Sequence, residues 1–230
     1  MTSKDASTAK QIDAGFRDPL TPAGRAALET VESKRGYTLP YHRLFAAHSP
    51  SLLTKYDAFY EALTLEPREL SPYERETVWA CLLAAVREVH GSIHLKRAHD
   101  AGLSDADLAR CVAIAATTHA FPVLAFSGTN WSAWTDRQAM LATYESQFAY
   151  ASAGLPTGLA HLAATAAMAG CREANGMLVH LKGALAADAT CAQVTEALSY
   201  LLLPCGGNVL IDAVAAWEAA AEQGEVISPY

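Results

Sequence analysis

"REVHGSIHLKRAHDAGLSDADLARCVAIA" at residues 87–115 returns at residues 172–201 as "REANGMLVHLKGALAADATCAQVTEALSYL". From His94 and His180 the two align without gaps at an offset of 86, whereas Arg87-Glu88 and Arg172-Glu173 align at 85. The second copy therefore holds one extra residue between its arginine and its histidine. A repeat of this length marks two copies of one supersecondary unit. Each copy alone would leave a large apolar face uncovered. Packing one copy on the other buries that face as a pseudo-twofold unit, and the surplus favours further oligomerisation.

Start signals flank both copies. Ser71-Pro72-Tyr73-Glu74 reads as a capping box with proline in the first helical turn. Ser104-Asp105-Ala106-Asp107 is a second box, and Thr190-Cys191-Ala192-Gln193 falls on it in the repeat. Further upstream, Thr21, Pro22 and Gly36 bracket a short helix, and Ser49-Pro50 opens another over 49–63. The pattern predicts a helix from Pro72 past Arg87 to Gly102, with Gly91 as the candidate break. Alternating β-branched segments bounded by turns are absent. The expected fold is all-α, a tandem-repeat helical bundle. Residues 1–36 form an N-terminal arm and short helix, 37–150 the first copy, and 151–230 a second, more degenerate copy. "SAW" ending at Trp134 and "AAW" ending at Trp217 extend the match downstream.

Composition narrows the functional classes. Of 230 residues 51 % are hydrophobic and 18 % charged, an ordinary globular balance. A net charge of −7 without a basic run argues against nucleic acid as partner. The start of the chain has no apolar core of a secretory signal, and no unbroken apolar run reaches the ~18 residues of a membrane span. Five scattered cysteines, none in a C-x-x-C, suit a reducing compartment. The expectation is a cytoplasmic protein with no membrane and no nucleic-acid partner.

The repeated motif, Arg-Glu followed by His-Leu-Lys-x-Ala and a capped helix, resembles the carboxymuconolactone decarboxylase family, which includes the alkylhydroperoxidase-D-like proteins. The resemblance spans residues of about 40 to 220. "LSPYERETVWACLLAAV" resembles the helix leading into that family's active-site segment, and "LLLPCGGN" (201–208) its closing Cys-Gly turn. His119 stands in the first copy where Cys205 falls in the second. The peroxidase-like branch carries C-x-x-C-x-x-x-H. Its cysteine positions here are Arg87 and His90, so no resolving thiol exists for a disulfide cycle. The decarboxylase branch carries Arg-Glu-x-Glu ahead of its histidine; Arg87, Glu88 and His94 match it, and His90 replaces the second acid. The resemblance implies a cofactor-independent carbon–carbon lyase for a small carboxylated lactone or related acid. It also implies a trimer standing in for a hexamer of single copies.

On a helix at 100° per residue, Arg87, His90 and His94 share one face. Histidine suits proton transfer near neutral pH, and the planar arginine fork suits a carboxylate. His94 and His90 are therefore the candidate acid–base pair, with Glu76 and Glu88 to orient or tune them. Arg87 is the candidate anion-binding group, His119 a candidate to orient or tune the histidines from the substrate-binding side, and Trp79 and Trp131 a candidate apolar wall. Glu76 aligns to His161 and His90 to Asn175, which favours the first copy as the working site. Three other readings stay open. His90 and His94, spaced i, i+4, with His119 or Glu76, could hold a metal, although no H-E-x-x-H occurs. The scaffold could serve isomerisation, cyclisation or dehydration. It could also be a non-catalytic, degenerate copy, with His94 a core histidine.

Overall fold

Hydroxyl caps and prolines start the helices where the sequence places them. In the computed structural model, residues 20–230 are described. They carry twelve α-helices and two 3-10 turns, with no strand among them. They fall into two compact units, one ending at Glu66 and the other running Pro67–Tyr230. The expected boundary at 36/37 thus falls inside the first unit, and the one at 150/151 inside the second. The arm expected over the first twenty residues lies outside the described residues, except Leu20.

The first unit holds α1 (Pro22–Arg35), α2 (Pro40–His48) and α3 (Pro50–Thr64). Thr21 caps α1, and Gly36 ends it in the left-handed region at φ 74°. Val31, Ala46 and Leu53 form its core. Arg35 ties α1 to α3 through Asp57, with Nη2 at 2.6 Å from Oδ1, and lies 3.8 Å from the centre of the Tyr60 ring. Helix α2 was not anticipated. No hydroxyl caps it; instead the Leu39 N–H donates to Nδ1 of buried His42 at 3.1 Å.

The second unit is built on α4 (Pro72–Val86) and α9 (Thr157–Gly170), which pack on each other. Both are buried along nearly their whole length, as suits helices apolar all round. Alanines of α9 allow close approach. A Cβ on Gly170 would sit 2.7 Å from Leu82 Cδ1 and 2.9 Å from Val86 Cγ1. After α4 come a 3-10 turn (Val89–Gly91), α5 (Ser92–Asp100), α6 (Asp105–Thr118) and α7 (Phe121–Asn130). Following α9 are α10 (Ala174–Ala186), α11 (Cys191–Ser199), a 3-10 turn (Tyr200–Leu202) and α12 (Gly207–Glu222), while α8 (Arg137–Ala151) joins the two series. Capping boxes at Ser71, Ser104 and Thr190 are all formed.

The helix expected from Pro72 through Gly102 instead stops at Val86. Arg87 takes the left-handed conformation at φ 57°, and Arg172 does the same at φ 58°. In both copies the next residue folds back on the helix: Glu88 N–H donates to Leu83 O, and Glu173 N–H to Met168 O, each at 2.9 Å. The repeated Arg-Glu is thus a helix-ending hydrogen-bond motif. The downstream match also fails: Trp134 is 87 % exposed beyond α7, whereas Trp217 is buried in α12.

Two side chains at matched positions latch the loops ahead of the central helices. Buried Glu196, on α11, accepts from the N–H groups of Glu69 (2.6 Å) and Leu70 (2.9 Å) and from the Tyr200 hydroxyl (2.6 Å). Arg110, on α6, donates Nε–H to the Ala153 carbonyl at 2.6 Å. Each half holds the entrance of the other half's central helix, one with an acceptor and one with a donor.

Residues Asp105–Asn130 are by length and composition apolar enough to cross a membrane. They form two helices, parted at His119 and Ala120, and α6 buries Cys111, Ile114, Ala115 and Thr118.

Candidate functional site

The turn after α4 carries α5 back across it, so that His94 meets Glu76. His94 Nδ1 lies 3.2 Å from Glu76 Oε2, both side chains buried. Burial holds the imidazole below its usual range despite the carboxylate beside it. The ring is therefore neutral near pH 7, with Nδ1–H donated to Glu76. Burial works against the Glu76 carboxylate as well, but His94, Arg97 and Arg75 outweigh it and keep its pKa below the usual range. Arg75 Nε donates to Glu76 Oε1 at 3.2 Å, and Arg97 Nε stands 3.9 Å from the same oxygen. Arg97 also lies across the imidazole, its Nη2 2.7 Å from Nδ1 and 2.9 Å from Nε2. Trp79 packs against His94 with centroids 4.4 Å apart, and Tyr200 stacks on Trp79 at 4.6 Å.

Of the expected residues, the structure brings together His94, Glu76 and Trp79, and it adds Arg97, Arg75 and Tyr200. The shared helical face of Arg87, His90 and His94 does not exist, because the chain leaves the helix at Arg87. His90 is exposed in the 3-10 turn, and its backbone N–H, not its ring, is held by Glu88 Oε1 at 2.9 Å. Glu88 thus caps a turn. Arg87 and Glu88 rim an apolar groove of about 600 Å³ lined by Leu83, Val89, Leu95, Leu108 and Val112. His119 Nε2–H donates to the Ala85 carbonyl at 2.9 Å, satisfying a group at the end of α4. Trp131 is exposed beside Phe126, and no contact joins it to His94. A metal held by His90 and His94 as a helical i, i+4 pair loses its geometric basis, since the two are not on one helix. No cluster of three His, Cys, Asp or Glu placed to hold a metal occurs among the described residues.

The second copy builds a different centre at the matched positions. His161 and His180 approach with Nδ1 atoms 3.0 Å apart, and the Tyr144 hydroxyl lies 2.5 Å from His180 Nε2. Burial, aided by His161, pushes His180 down to about 3, and burial also lowers His161. Phe148 packs on both rings, at 4.8 and 4.4 Å. Where Arg97 covers His94, the second copy has Gly183. A Cβ there would overlap the His161 ring, so glycine is required by the approach of the two histidines. A cavity of about 580 Å³ opens in front of the pair, lined by Tyr144, Phe148, His161, His180 and Gly183 among others. Sequence reasoning did not single out Arg97, Gly183 or Tyr144. The mismatch of "HLKR" with "HLKG" was the available signal for the first two; Tyr144 lies in a helix outside the repeat.

Comparison with known proteins finds no matching family model, curated protein or solved structure.

Proposed function

We propose that the chain is a cofactor-independent acid–base enzyme acting on a small carboxylated substrate, with decarboxylation of a lactone acid as its reaction. The reading rests on the Glu76–His94 pair with Arg97 laid across the imidazole. It is in keeping with the resemblance of the repeated Arg-Glu and His-Leu-Lys motif to the carboxymuconolactone decarboxylases and their alkylhydroperoxidase-D-like fold. A carboxylate offers Arg97 a better partner than a neutral ring, because a guanidinium and a carboxylate pair through two parallel hydrogen bonds. Drawing Arg97 away uncovers Nε2. The ring then takes a proton from solvent, and the Glu76 carboxylate stabilises the resulting imidazolium at Nδ1. The bond to the carboxyl carbon breaks, its electrons pass into the lactone's conjugated system, and the Nε2 proton goes to carbon as CO₂ leaves. One solvent proton is consumed per turnover. Assembly as a trimer and a cytoplasmic location belong to the same proposal.

The test is CO₂ release from carboxylated γ-lactones by the purified chain and its variants. His94→Ala should lower kcat/KM by at least ~100-fold with unchanged helical circular dichroism. Arg97→Met should act mainly through KM. Turnover by His94→Ala at the parent rate would overturn the assignment. Solvent deuterium entering the substrate without CO₂ release would turn the reaction into an isomerisation.

A further inference from the structure

We propose that the second copy holds a separate binding site for a neutral organic molecule bearing a hydroxyl or enol group, seated in the cavity before His161 and His180. The cavity, at about 580 Å³, has the size of small-molecule sites, roughly 300–1,000 Å³. Its walls are mostly apolar, and Glu145 is the one charged residue on them. The Arg110 guanidinium beside Gly154 is already engaged by the Ala153 carbonyl and the Asp107 carboxylate, so a carboxylate entering the cavity would lose hydration without an uncommitted cation on its walls.

Hydrogen bonding narrows the ligand further. The Tyr144 hydroxyl, His180 and His161 form a chain in which each ring uses Nδ1 toward the other. If Tyr144 donates to His180 Nε2, then His180 Nδ1–H donates to His161, and His161 carries its proton at Nε2. Reversal of the chain leaves a lone pair at His161 Nε2 instead. The edge of His161 left for a ligand can therefore donate or accept, by a shift of tautomers that leaves both rings neutral. A hydroxyl or enol matches either arrangement, whereas a carboxylate matches only one. Burial, which keeps both rings uncharged near pH 7, agrees with this. Gly183 makes room for the His161 ring beside His180, and no arginine lies over this pair as Arg97 lies over His94 in the first copy.

Calorimetric titration at pH 7 with 2-naphthol and with 2-naphthoate tests the site. Naphthol should bind saturably at one per chain, and naphthoate at least ten-fold more weakly. Ala149→Trp, on the exposed side of α8 at the cavity wall, should weaken naphthol binding at least ten-fold. Gly183→Arg should abolish it; if that variant fails to fold, Ala149→Trp decides. Absence of naphthol binding, naphthoate binding of equal strength, or naphthol binding unchanged in Ala149→Trp would each overturn the proposal.

Discussion

His94 and His180 occupy matched places in the two copies and live in opposite surroundings. Around His94 stand a carboxylate and two guanidiniums, with Trp79 against the ring. Around His180 stand a second histidine, a tyrosine and a phenylalanine, with a cavity beside them. Three exchanges do most of this: Glu76 against His161, Arg97 against Gly183, and Trp79 against Ala164. The left-handed arginine, the buried histidine and the capped following helix are common to both. Backbone-determining positions have been kept while the walls around the histidine have diverged. That is the pattern expected when one frame carries two unlike sites.

The largest test of the comparison concerns the two loop latches. Glu196 takes three hydrogen bonds at a buried position, two of them from backbone N–H groups. Glu196→Ala should leave those donors unsatisfied and cost about 3–5 kcal/mol. Arg110 makes its bond to Ala153 at a partly exposed position, and Arg110→Ala should cost about 1 kcal/mol. Urea unfolding midpoints of the two variants measure the difference. Equal losses would show that the latches are energetically symmetric, against the burial difference.

Acid comes next. The pKa values of His94, His161 and His180 all lie below the usual histidine range in the folded chain, by burial. Above pH ~6.5 neither state binds these protons, and the groups leave stability unchanged. Below it the unfolded chain takes up protons that the folded chain refuses, so stability falls as pH falls. Each group contributes at most about 1.4 kcal/mol per pH unit until its folded pKa is reached. For His180, down at about 3, the loss at pH 5 should be on the order of 2 kcal/mol. Glu76, with its pKa lowered, adds its own loss only below the usual carboxylate range, near pH 4.3. Stability measured by chemical unfolding should therefore fall steadily from pH 7 to pH 5, and His180→Gln should flatten that slope. An unaltered slope in His180→Gln would show that His180 titrates normally.

Local signals were the legible ones. The boxes at Ser71, Ser104 and Thr190 need only residues three apart, so the sequence displays them whole. The end of α4 was hidden because neither glycine nor asparagine marks it. An arginine adopts the left-handed turn there, and only the fold-back of Glu88 onto Leu83 shows why. Helix α2 was missed because an imidazole serves at its start where a hydroxyl would ordinarily announce one. The Glu76–His94 pair joins two helices across 18 residues, so its two members could be nominated but their contact could not. Arg97 lies one turn beyond His94 on the same helix, and its place against the imidazole depends on the turn after Arg87, which the helical periodicity does not display.

The smallest expected effect tests the part the copies share. A non-glycine residue in the left-handed region is held there against its own preference, by roughly 1–2 kcal/mol. Glycine removes that strain but costs more entropy on folding, so Arg87→Gly should stabilise the chain by a net of about 0.5–1 kcal/mol. Arg172→Gly relieves the same strain and also loses an exposed ion pair, Arg172 Nη1 to Asp212 Oδ2 at 2.9 Å. Such pairs contribute about 0–1 kcal/mol, so its net gain should be smaller or nil. Thermal midpoints of the two variants, with Asp212→Asn as the third corner, separate strain from pairing. If Asp212→Asn and Arg172→Gly are combined, the ion pair is absent from both members of the comparison. The gain from glycine should then equal that at position 87. A loss of stability in Arg87→Gly would mean that the arginine side chain is held at the rim of the apolar groove by more than the strain of its backbone.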